Sequence, residues 1–80
     1  MNWRDWKGPQ RGGSPYRAET LEAGMRIYEP PPSGFEASAT VEGLIERVDR
    51  SRMRDLAIVT VLVDGKGTDF EFDEFVEVLP

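Results

Sequence analysis

The run Leu56-Ala-Ile-Val-Thr-Val-Leu-Val63, closed by Asp64-Gly65-Lys66-Gly67, limits the possible folds more than any other stretch. Ile58, Val59, Val61 and Val63 are β-branched; such side chains crowd a helix and suit a pleated strand. Asp-Gly at the end of the run is a hairpin signal, because both residues tolerate positive φ. The run therefore reads as the central strand of a small antiparallel domain. A turn at 64–67 sets Val63 opposite Thr68, Val61 beside Phe70 and Val59 beside Phe72. Valines and phenylalanines then share a buried face, with Asp69, Glu71 and Asp73 in a row on the other.

The remaining strands follow from shorter patterns. Met25 to Tyr28 alternates, with Met25 and Ile27 inward and Arg26 and Tyr28 outward. Pro30-Pro31-Pro32 ends that strand as a stiff loop, since proline cannot donate to a ladder. Ala39 to Val48 reads as a long second strand, bent at Gly43. Asp49 to Asp55 reads as a charged turn, Asp73-Glu74-Phe75 as one 3₁₀ turn, and Val76 to Leu79 as a fifth strand. Residues 1–20 carry Gly8-Pro9, Gly12-Gly13 and Ser14-Pro15 without a periodic apolar face, and are expected to be a disordered, mildly basic tail.

Eighty residues allow one small domain, here 21–80, with a core of marginal size. The chain has no cysteine and no histidine. Disulfides, zinc–thiolate sites, thiol nucleophiles and the commonest neutral-pH base are thereby excluded. The acid–base inventory is carboxylates, and exposed acids on a small barrel lack an apolar pocket to raise a pKa. No enzyme activity, metal or cofactor is expected. The N-terminus lacks the apolar segment of a secretory signal, and no run is long enough to span a bilayer. A cytoplasmic location without membrane contact is expected.

Five strands with a long first loop, a long bent second strand and a one-turn link before the last resemble the SH3-like small barrel family. Gly24-Met25-Arg26-Ile27 is similar to its opening strand and Val41-Glu-Gly-Leu-Ile45 to its second. Phe70 to Val78 resembles its last two strands. The resemblance implies an all-β, five-stranded antiparallel barrel over 21–80 and no particular function, since that fold hosts many.

Four surfaces could act. With Val41, Ile45, Ala57, Val59 and Val61 inward, Leu44, Leu56, Ile58 and Leu62 point outward as an apolar patch. The tail aromatics Trp3, Trp6 and Tyr16 either fold back as a lid or insert into a partner. Together these favour a protein–protein interaction module (an adaptor, inhibitor or assembly component, in the style of a phage or accessory-gene product), binding another protein or a second copy of itself. The rival is nucleic-acid binding through Arg47, Arg50, Arg52 and Arg54 with the basic tail. It ranks behind, because residues 21–80 carry a net charge of −7. A third reading makes Asp69, Glu71 and Asp73 a mimic of nucleic-acid phosphates that occupies a basic cleft.

Overall fold

The computed structural model describes Trp6 and residues 8–31 and 40–80, with only the backbone of Met53. Among the described residues seven strands run in chain order: β1 Ser14–Arg17, β2 Arg26–Glu29, β3 Val41–Leu44, β4 Arg47–Met53, β5 Leu56–Val63, β6 Lys66–Glu71 and β7 Phe75–Leu79. A 3₁₀ turn, Ala18–Thr20, follows β1, and there is no α-helix among the described residues. The strands form two antiparallel sheets, ordered β1-β7-β2-β3 and β4-β5-β6. The all-β class holds; the expected five strands in one closed barrel are replaced by seven strands in two open sheets.

The core joins the two sheets through Ile27, Ile45, Val59, Val61, Val63, Phe70 and Val76. Each fully buried aliphatic side chain contributes about 1.5–3 kcal/mol. The inward set on β5 is the alternating one expected, and Ile58, Thr60 and Leu62 face away from it. The hairpin register differs by two residues. Val63 pairs with Lys66, Val61 with Thr68 and Val59 with Phe70. Asp64 at φ 52° and Gly65 at φ 77° make a two-residue turn where four were expected. A slip of two preserves the face of every side chain, so Phe70 is still buried.

The long second strand is two strands in different sheets. At Ile45 and Glu46 the chain passes from one sheet to the other: the Ile45 amide donates to Met25 O (2.8 Å), and the Glu46 amide to Leu62 O (2.7 Å). Gly43 has φ 147°, and a Cβ there would lie 3.1 Å from Val63 Cγ1. Pairing with β2 runs unbroken through Gly43, so the bend expected at this glycine falls instead at Ile45 and Glu46. The charged turn expected at 49–55 is mostly β4, and the connection shrinks to Arg54-Asp55 between paired Met53 and Leu56.

Residues 14–20, expected to belong to a disordered tail, are ordered. Ser14 to Arg17 pair with β7 as an edge strand, where Pro15 is tolerated for want of an outer neighbour. The Ala18 amide donates to Glu74 O (2.8 Å) and the Glu19 amide to Phe72 O (3.1 Å), which seats buried Ala18 and Leu21 in the core. Long-range backbone pairing supplies what local composition lacked.

Candidate functional site

The outer face of the β4-β5-β6 sheet carries the apolar line expected from β5. Leu56 is 52% exposed, while Ile58 and Leu62 are half-buried. Cross-strand partners share a face, so Ser51 and Glu71 flank Ile58, and Arg47 and Gly67 flank Leu62. Thr60 sits between them and donates its hydroxyl to Asp69 Oδ1 (2.6 Å). Leu44, 49% exposed, ends β3 on the other sheet, two residues before the Glu46 amide that bonds the Leu62 carbonyl. The structure thus groups Ile58 and Leu62 with Leu56 on one strand and sets Leu44 at the adjoining corner.

Strand geometry separates the four arginines. Arg47 and Asp49 lie on the outer face and form an ion pair (2.9 Å). Arg50 and Arg52 alternate to the opposite face. There Arg50 donates from Nη2 to Leu21 O (2.6 Å) and from Nε to Glu19 O (3.1 Å). Arg52 stacks over the Phe72 ring at 5.1 Å. Arg54 stands on the two-residue connection.

The acidic row is also divided. Asp69 and Glu71 are exposed on β6, but Asp73 lies past the strand in the turn to β7. Glu74 takes the Glu71 amide on Oε1 (2.8 Å). Among the described residues no cluster of three or more acidic side chains could hold a metal ion, and no helix is long and apolar enough to cross a membrane. One carboxyl does have an elevated pKa, against the expectation for this inventory. Burial, then the nearby Glu74 carboxylate, pushes Glu29 up to about 7. Glu29 ends β2 at the edge of the core, where it is half-buried.

Glu77 and Tyr28 form a site not foreseen from the sequence. They are cross-strand partners on β7 and β2, facing away from the core, yet Glu77 is only 2% exposed and Tyr28 only 6%. Residues 10–13 cover them. Glu77 Oε1 accepts the Gln10 amide (2.7 Å), and Oε2 accepts those of Arg11 (2.7 Å) and Gly13 (2.8 Å). The Arg11 guanidinium lies 4.3 Å from the centre of the Tyr28 ring. Burial alone would push the Glu77 carboxyl up. The three amide donors, with Arg11, outweigh it and hold the group below its ordinary value.

Tyr28, expected on an open face, is covered for the same reason. Over Glu77 and Tyr28 the cover is made by the backbone of residues 10–13 and the Arg11 side chain. Trp6 is half-buried, Tyr16 is 38% exposed on edge strand β1, and Trp3 lies outside the described residues. No family model, curated protein or solved structure matches the chain.

Proposed function

We propose that the chain is a small SH3-like β domain that docks on another protein through the outer face of its β4-β5-β6 sheet. The carrying observation is the line Leu56, Ile58 and Leu62 on the central strand, left partly open by its flanking strands. The SH3-like part rests on the strand order, in which β3 and β4 run on from one another and feed separate sheets. Asp69 and Glu71 flank the apolar line on a chain of net charge −5. The partner surface that complements them is an apolar centre with a basic rim.

Nucleic-acid binding draws less support. Of the four arginines, one is ion-paired, one holds two backbone carbonyls and one stacks on a phenylalanine, on different faces. A phosphate mimic has less support too, with Asp73 off the strand and Glu77 covered.

The test is capture from nuclease-treated and untreated extract by the wild-type chain, Ile58→Glu and Arg54→Ala. A protein held by wild type and Arg54→Ala in both halves, but lost with a folded Ile58→Glu, supports docking through this face. Equal capture by Ile58→Glu, or retention that needs intact nucleic acid, overturns it.

A further inference from the structure

The segment lying over Glu77 and Tyr28 is Gln10-Arg11-Gly12-Gly13, and each of its last three residues meets a requirement set by the sheet. Gly13 approaches β7 so closely that a Cβ would stand 2.5 Å from Val78 O and 2.6 Å from Glu77 Cγ. Gly12 has φ 77°, a conformation that L side chains rarely adopt. Arg11 places its guanidinium over Tyr28 while its amide reaches the carboxylate. At Gln10 only the amide touches the sheet carboxylate, so that position takes any residue but proline. Pro9, Gln10, Arg11 and Gly12 are all exposed. The segment is held by polar contacts and one stacked cation, not by apolar burial.

We propose that the outer face of the β2–β7 pair is a recognition site for a bent Arg-Gly-Gly segment, occupied in cis by residues 10–13 and able to take the same motif from another chain. Glu77 supplies the carboxylate that gathers the amides of Gln10, Arg11 and Gly13. Tyr28 supplies the ring for the guanidinium, and the bare backbone at Val78 requires the final glycine. None of these features depends on the covalent link between segment and sheet, so a free peptide can make them all. The cis segment competes at an effective concentration on the order of 1 mM, which masks the site in the resting chain. This inference concerns the other sheet and stands apart from docking through β5.

The test uses the full chain and the peptide Gly-Pro-Gln-Arg-Gly-Gly-Ser, which copies residues 8–14. Gly13→Ala evicts the cis segment by steric contact with Val78, and Arg11→Ala loosens it without backbone strain. Amide resonances of Tyr28, Glu77 and Val78 are followed while peptide is added. The expected result is saturable shifts in both variants, with binding at least tenfold tighter than to the wild-type chain. Peptides with alanine in place of the arginine or of the second glycine should give no shifts. If Gly13→Ala does not fold, Arg11→Ala answers the same question. Absence of saturable shifts in a folded variant, or equal shifts with the alanine peptides, would overturn the proposal.

Discussion

Glu77 shows how one side chain can fix a segment more than sixty positions away in sequence. Its carboxylate is buried, so it must be paired, and the three amides of residues 10–13 pair it. Glu77→Gln keeps only one acceptor oxygen and turns an NH₂ toward N–H donors. Hydrogen-exchange protection of the Arg11 and Gly13 amides should fall by roughly tenfold or more, the equivalent of a lost charge-assisted hydrogen bond. Unchanged protection would remove Glu77 as the anchor. Glu29 works the other way. Folded, it keeps its proton up to about pH 7; its ordinary value is 4.5. Between those values the folded state binds more protons than the unfolded, so stability falls as pH rises through the window. Glu29→Gln should flatten that slope in urea unfolding series at pH 5, 6 and 7. A slope equal to wild type would contradict the assignment.

At the scale of elements, the central strand and its alternation were legible in the sequence, because β-branched periodicity and Asp-Gly both pointed to the same hairpin. The two-residue register was not, since Asp64-Gly65-Lys66-Gly67 offers glycines for either loop length. Arg50, Arg52 and Arg54 looked like a turn because charge density hid the period-two pattern of β4. Residues 14–20 looked disordered because their order comes from β7 and the 71–74 turn, not from local propensity. Glu77 looked like one more solvated acid; the available clue was Gly12-Gly13 following Arg11, a segment suited to close backbone approach. Arg50 joins β4 to the chain between β1 and β2 through two carbonyls. Arg50→Ala should cost about 1–3 kcal/mol in denaturant unfolding, because a part-buried carbonyl loses a charged donor. Arg54→Ala should stay within about 0.5 kcal/mol. Equal effects would mean that strand placement does not separate the two.

For the molecule as a whole, the two unusual carboxyls set opposite limits on pH. Glu29 favours the folded state as pH falls from about 7 toward 4.5. Glu77, held below its ordinary value, contributes stability above 4.5 that is lost as pH falls through its folded pKa. The midpoint temperature should therefore peak at mildly acidic pH, near 5, and fall on either side. A monotonic rise to pH 8 would contradict the pairing of these roles. The two sheets also divide the surface, with one outer face covered by residues 10–13 and the other left partly open along β5. The most direct measurement is side-chain oxidative footprinting of the chain, free and in its captured complex. Docking through the open face requires protection of Leu56, Ile58 and Leu62 on binding. Unchanged oxidation at those three residues, with protection at Tyr16 or beside Arg54 instead, would contradict it.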